Sequence, residues 1–513
     1  MKSLFKTVAL ITMFSVITRI IGFLFRIYLS REVGAEALGM YQVAFSIFMV
    51  LLTIIASGLP LIMSRITSSF TISKEKEKQS SLVSTALIFS VLLSVFLCVI
   101  VLVFRNLFAK LFTEERCLQI LIIMLPSLIF SSVYCVLRGA LWGKDNYFAL
   151  CISELYEQVV RIFICVIVLT SSLTVIEKAF NVAWSLNWAC LLSMIFVILL
   201  YFFYNGSLSK PSKKIFKPLI KQSAPITGIR VASSFIQPLV ALILPAKLMS
   251  IGYTSTQALS LYGVAVGMTL PLLFVPTTII GSLSTALIPD MSKALTQNDQ
   301  AHIENRIRNS IVFSLFISAL FIPAYLGMGE LAGIFLYDNV MSGTLLQSSS
   351  FVLLPLGLTN ITSSLLNSLG FEIKSFKNFI CGTIVMFVCI WFLPKFVGIN
   401  AFVWGMGGSY LVTSLLNISM LKKKTGVKLK IGKTVLMLIL VILPSASLTA
   451  FVVGICNNFL PLFFTLAFGG CVSVVSFVML CGVFNLIDIK AFLIKSKDYL
   501  GKFGKKKVKM KKA

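Results

Sequence analysis

Of the chain's 513 residues, 58% are hydrophobic and 12% charged, and the mean hydropathy is +0.97. Soluble domains are about half apolar and about one quarter charged, so a soluble protein is excluded. Lys and Arg outnumber Asp and Glu by 45 to 18, a net charge of +27, yet the bases sit between long apolar runs, which excludes a nucleic-acid binder with one basic face.

These proportions predict an all-α polytopic membrane protein. A crossing needs ~20 mostly apolar residues. Such runs occur at 6–29, 39–64, 81–104, 118–137, 148–170, 179–204, 223–249, 259–288, 310–328, 346–369, 379–394, 401–420, 435–454 and 462–484, about 14 transmembrane helices. The first follows Lys2 and Lys6, is interrupted by Arg19 and lacks a small-residue cleavage site, so a retained helix is expected rather than a signal peptide. The fifth is the least apolar, because it contains Glu154, Glu157 and Arg161.

Charge sets the expected orientation. With both termini cytoplasmic, only Arg31, Arg105, Lys110, Arg116, Lys178 and Lys395 fall in outside segments, and moving the frame by one span inverts the bias. Gly501 to Lys512 then form a basic cytoplasmic tail suited to anionic lipid headgroups. The longest outside loop is expected at 329–345, which leaves no room for a soluble domain. The 11 cysteines include no CxxC pair and read as small buried hydrophobes. The single histidine, His302, falls in a charged loop, which excludes a His-rich metal site.

Sliding the chain by ~229 positions brings Pro60 onto Pro289, Leu125-Pro126 onto Leu354-Pro355, Gly34 onto Gly263, Glu75 onto Glu304 and Ser81 onto Ser310. The matched elements are separated by six spans, an even number, so the copies share one orientation and form a parallel pseudo-repeat. The expected architecture is an N-lobe over 1–204 (spans one to six), a basic cytoplasmic linker over 205–222 and a C-lobe over 223–420 (spans seven to twelve). Two further helices fall in 421–484, and the basic tail occupies 485–513.

A charge at mid-bilayer costs at least about 2.5–3.5 kcal/mol, so embedded ionisable residues are functional candidates. They are Arg19, Arg26, Arg161, Arg230 and Lys247, with Glu154 and Glu157. The positive excess favours an anion as cargo. Arg19 and Arg26 are seven residues apart, almost two helical turns, and so share a face with Gly22 between them. Glu154 has the same spacing to Arg161, and Glu157 is placed to pair with Arg161 at i,i+4. Arg65 and Arg138, at cytoplasmic helix ends, extend the cationic stripe, whereas Arg230 and Lys247 near the ends of the seventh span are within snorkelling reach. Gly58, Pro60, Pro238, Pro271 and Pro276, with Pro225 and Pro245, mark spans able to bend. The chain has no GxxxxGK[ST] phosphate loop and no outside loop that pairs His with carboxylates, so an enzyme is not expected.

Two blocks carry a resemblance. Thr18-Arg19-Ile20-Ile21-Gly22-Phe23 and Arg26, then Val33-Gly34-Ala35-Glu36-Ala37-Leu38-Gly39-Met40-Tyr41-Gln42, then Ser57-Gly58-Leu59-Pro60 and Ser64-Arg65, resemble the opening of bacterial polysaccharide flippases of the MOP superfamily. Leu137-Arg138-Gly139 to Gly143, and Tyr147 to Glu157-Gln158-Val159-Val160-Arg161, resemble the stage V sporulation protein B branch, which is close to the peptidoglycan lipid II flippases. The resemblance runs at low similarity over the whole chain. It implies two six-helix lobes around a V-shaped cavity that faces each side in turn, and a groove on helices thirteen and fourteen for a polyprenyl tail. It also implies cavity arginines on the first two helices that bind a diphosphate. Arg19 and Arg26 match the first-helix pair, and Arg65, late in the second span, is the counterpart there. The eighth span carries no arginine, and Arg230 is the substitute at hand. The sodium coupling of parts of the family has no embedded carboxylate to rest on in the late spans.

The expected function is a flippase for an undecaprenyl-diphosphate-linked saccharide, first of all lipid II, at the cytoplasmic membrane of a bacterium. A diphosphate suits bidentate arginine contacts, and fourteen spans without an ATPase imply alternating access. No cofactor is expected beyond a coupling ion, sodium or proton, and the protein is expected to act as a monomer among membrane lipids. The rivals are export of another lipid-linked polysaccharide unit, a cation-coupled multidrug antiporter, and a non-transporting scaffold for envelope-synthesis enzymes.

Overall fold

The structure is a computed structural model that describes residues 2–169, 174–297, 299–427, 429 and 431–484; the basic tail lies outside them. Every regular element among the described residues is helical. The chain runs through α1 (Lys2–Val33), α2 (Ala35–Ala56), α3 (Leu59–Ile72), α4 (Lys76–Val103), α5 (Arg105–Leu111), α6 (Glu115–Gly143), α7 (Tyr147–Val168) and α8 (Val175–Phe203). It continues through α9 (Lys213–Ser234), α10 (Ile236–Met249), α11 (Ser255–Tyr262), α12 (Leu270–Leu273), α13 (Val275–Thr296), α14 (Gln300–Tyr337) and α15 (Val340–Ser349). The last are α16 (Leu353–Ser368), α17 (Glu372–Phe392), α18 (Pro394–Val397), α19 (Asn400–Thr425), α20 (Ile431–Cys456) and α21 (Leu462–Val483).

Among the described residues, thirteen helical stretches are long and apolar enough to cross a membrane. α7 is left out by its three charges, but its 22 residues rise about 33 Å, enough for a hydrocarbon core of about 30 Å. With α7 the crossings number about 14, and the protein is a multi-pass membrane protein.

Three expectations are corrected. The long loop at 329–345 is helix except for Asp338 and Asn339: Asp338 closes α14 in the left-handed region (φ 52°), and Asn339 caps α15 by accepting from Ser342 N at 2.9 Å. Short polar side chains tolerate both conformations, so two residues suffice to turn the chain. His302 is in the first turn of α14, not a loop, and its N–H caps onto Asp299 at 3.0 Å. The stretch read as a linker is helical from Lys213 onward, and its remaining part is pinned along α4. Ser81 Oγ donates to Lys210 O at 2.8 Å, and Thr85 Oγ1 accepts from Ser212 N at 3.0 Å. Lys144 adds a clamp, donating to Asn205 O at 3.2 Å above the Tyr201 ring; burial, and then the charge of Lys76, hold its pKa below the usual lysine value.

Packing divides the described residues into two compact units, those up to Met268 with Ile390–Ile399, and Thr269–Cys389 with those from Asn400 onward. In the first, α6 is surrounded by α2, α3, α4 and α8. Its core joins Ile62 and Met63 to Leu82, Leu137, Leu141, Val197 and Leu219. In the second, α14 packs on α13, α15, α16, α20 and α21.

Glycines let backbones touch in the first unit. Gly39 of α2 faces Gly263, with no space for a methyl at either: a Cβ on Gly263 would lie 2.7 Å from Gly39 N. Gly139 and Gly143 of α6 meet α3 in the same way, at Pro60 O (2.8 Å) and Ser64 O (2.5 Å). Small residues four apart are the usual means of close helix approach in membranes.

Prolines open the helices, and side chains fill the openings. Pro126 interrupts α6, and Asn187 of α8 bridges the gap, accepting from Ser127 N at 3.1 Å and donating to Ile123 O. Pro276 leaves Leu272 O without its helical donor, and Tyr325 Oη of α14 donates to that carbonyl at 2.7 Å. The second span breaks at Ser57-Gly58, just before Pro60; the seventh breaks at Phe235, with Pro238 in the first turn that follows. The eighth contains a π-helical turn at Gly263–Thr269 ahead of Pro271.

Candidate functional site

The apolar stretch of α1 spans Leu10–Val33. Arg19 lies about 4 Å to one side of its midpoint and Arg26 about 7 Å to the other, at 1.5 Å per residue, so both are well inside the ~15 Å half-thickness. Both side chains are exposed, and neither has a hydrogen bond or an ion pair among the described residues. Snorkelling would have to draw them in opposite directions. A methyl at Gly22 would lie 3.3 Å from Gln158 Nε2, so this face of α1 is turned toward α7.

α7 presents the second half of the site. Glu157 accepts from Arg161 Nη2 at 2.5 Å, one turn apart on the same helix. Glu154 does not share Arg161; it accepts from Arg138 Nη2 of α6, also at 2.5 Å. Arg138 is therefore not an unpaired extension of the cationic stripe, as its position at a helix end suggested. The two acids neutralise two arginines, and the uncompensated charge of this region falls back on α1. Tyr41 of α2 lies within electrostatic range of both Arg161 and Arg26. Arg138 also lies 5.9 Å from the Tyr134 ring centroid, a cation–π contact at i,i+4.

The other candidates are placed differently. Arg65 is exposed on α3 and without a partner among the described residues. Arg230 Nη1 donates to Ser57 O at 2.8 Å, where α2 ends; it is committed to backbone. Lys247 Nζ lies 3.3 Å from the Trp391 ring centroid, a contact rather than mere snorkelling. Tyr41, Tyr134 and Gln158 were missed by the charge-based reading. Tyr134 was legible from its spacing to Arg138; Tyr41 and Gln158 come from neighbouring helices and carry no local signal.

Residues 4–295 match the model of the polysaccharide biosynthesis protein family. Stage V sporulation protein B of Bacillus subtilis (strain 168) is 27% identical over 309 residues, covering 58% of this chain and 59% of that protein. Lipid II flippase MurJ of the same organism is 21% identical over 472 residues, covering 84% and 85%. A solved structure of lipid II flippase MurJ, inward closed, superimposes with a TM-score of 0.69 over 93% of this chain and 98% of that one, at 13% identity. An inward-facing multidrug resistance MATE family transporter gives 0.68 over 80% and 94%, at 14% identity. The chain belongs to the polysaccharide biosynthesis protein family and shares the helical fold of the solved MurJ and MATE structures.

Proposed function

We propose that the protein is a flippase that moves an undecaprenyl-diphosphate-linked saccharide across the cytoplasmic membrane of a bacterium by alternating access. Peptidoglycan lipid II is the first choice of cargo and another lipid-linked polysaccharide unit the alternative. The observation that carries the reading is the pair of exposed, unpartnered guanidinium groups of Arg19 and Arg26 at mid-span, beside two neutral Arg–Glu pairs. Unpaired cations in a low-dielectric region call for a multivalent anion, and a diphosphate offers bidentate acceptors to both. Arg65 extends this binding stripe, and the helix breaks at Gly58-Pro60, Pro238, Pro271 and Pro276 supply the bending points. The names of the matched relatives support the same class of cargo. The protein acts as a monomer with both termini in the cytoplasm.

Rescue of a bacterium depleted of its own lipid II flippase tests this. The wild-type chain is expected to restore growth, and Arg26→Ala to abolish rescue at unchanged membrane levels. Full rescue by Arg26→Ala would remove the binding role. No rescue by a wild-type chain that reaches the membrane would move the cargo to another lipid-linked polysaccharide. A multidrug antiporter shares the fold, but its coupling needs a carboxylate free to exchange a cation, and Glu154 and Glu157 each already hold an arginine.

A further inference from the structure

Both halves of the second span pack on α6, and each has a glycine contact of its own: α2 meets the start of the eighth span through Gly39 and Gly263, and α3 meets α6 through Gly139 and Gly143. Between them the backbone is interrupted at Ser57-Gly58, and Pro60 removes one further N–H donor. α9 lies across this interruption. Its Arg230 reaches Ser57 O at 2.8 Å, and a Cβ on Gly58 would meet Thr227 Oγ1 and come within 2.6 Å of Ser223 O.

We propose that Arg230 is a latch: a positioning residue that fixes the angle between α2 and α3 by supplying the hydrogen bond their break leaves open. A guanidinium suits the task, because it stays charged and its hydrogen bond to a carbonyl is charge-assisted. Gly58 admits α9 to the distance at which that bond forms. Releasing the latch lets the angle between α2 and α3 change while both stay packed on α6. The link to transport rests on the flippase reading; the latch itself does not.

Hydrogen exchange of the purified full chain in nanodiscs, without cargo, tests it. In Arg230→Ala the amides of 57–62 are expected to exchange about fivefold faster, the loss of one hydrogen bond, with α6 unchanged. Arg230→Lys is expected to restore protection. Gly58→Ala, which pushes α9 away, is expected to reproduce the Arg230→Ala pattern and to add little to it in the double variant. Lipid II added to the nanodiscs separates positioning from binding: Arg26→Ala weakens its retention and Arg230→Ala does not. Unchanged exchange at 57–62 in Arg230→Ala would overturn the latch, as would acceleration spread equally through α6. So would loss of lipid II retention in Arg230→Ala with unchanged exchange, which would make Arg230 a cargo ligand. If the wild-type chain retains no lipid II, the cargo assignment fails while the exchange result still decides the latch.

Discussion

At the scale of single residues, the embedded charges fall into two kinds. Arg138 and Arg161 carry their own counter-ions, and Arg19 and Arg26 do not. Burying an ion pair contributes little net stability, but removing one partner leaves a charge without compensation. Glu157→Gln is therefore expected to destabilise the protein by about 2 kcal/mol, less than for a fully buried pair because both side chains keep about a quarter of their exposure. Arg161 Nε, buried without an acceptor, adds to the penalty. The double variant Glu157→Gln/Arg161→Met should regain most of the loss, and thermal unfolding in detergent measures both. An unchanged midpoint in Glu157→Gln would show that the pair does not hold α7. Glu157–Arg161 was readable because i,i+4 spacing on one helix guarantees proximity. Arg138–Glu154 was not, because it depends on how α6 packs against α7. Arg230 misled for the same reason: its partner is a backbone carbonyl 173 residues away, and carbonyls leave no mark in a sequence.

At the scale of elements, most spans were legible from apolar length, and their breaks from proline. What fills the breaks was hidden. Asn187, Tyr325 and Arg230 each come from another helix to a carbonyl that a proline or a helix end has freed. None differs from an ordinary polar side chain until the helices are packed. The glycine contacts sort in the same way. Gly143 on α6 has Ser64 O at 2.5 Å from a would-be Cβ, whereas Gly454 on α20 has nothing within 4 Å. Backbone atoms cannot swing aside as a flexible side chain does. Gly143→Ala is thus expected to force α3 off α6 at about 1–3 kcal/mol. Gly454→Ala should be neutral or stabilising by up to about 1 kcal/mol, since alanine is the better helix former. Equal unfolding midpoints for the two variants would mean that α3 can shift on α6 without cost.

At the scale of the whole molecule, the count of crossings turns on one helix. Thirteen spans pass on hydropathy alone, an odd number that would place the two ends of the chain on opposite sides. α7 restores an even number, and its charges explain why hydropathy passes over it: its three ionised groups and Arg138 of α6 are consumed in two pairs, so the helix crosses with its charges neutralised. If α7 did not cross, every segment after it would change sides. The lysines at 210–221 and 422–433 would then join Arg31 and Arg105, erasing the bias that orients membrane proteins. The orientation proposed here predicts that alkaline phosphatase fused after Ala513 or after Gly206 is inactive, because it stays in the cytoplasm. The same enzyme fused after Asp338, in the two-residue turn between α14 and α15, is expected to be active. Activity at Gly206 and Ala513 with none at Asp338 would mean that α7 lies in the membrane without crossing it. Its Arg–Glu pairs would then be a device for burying a helix rather than for lining a path.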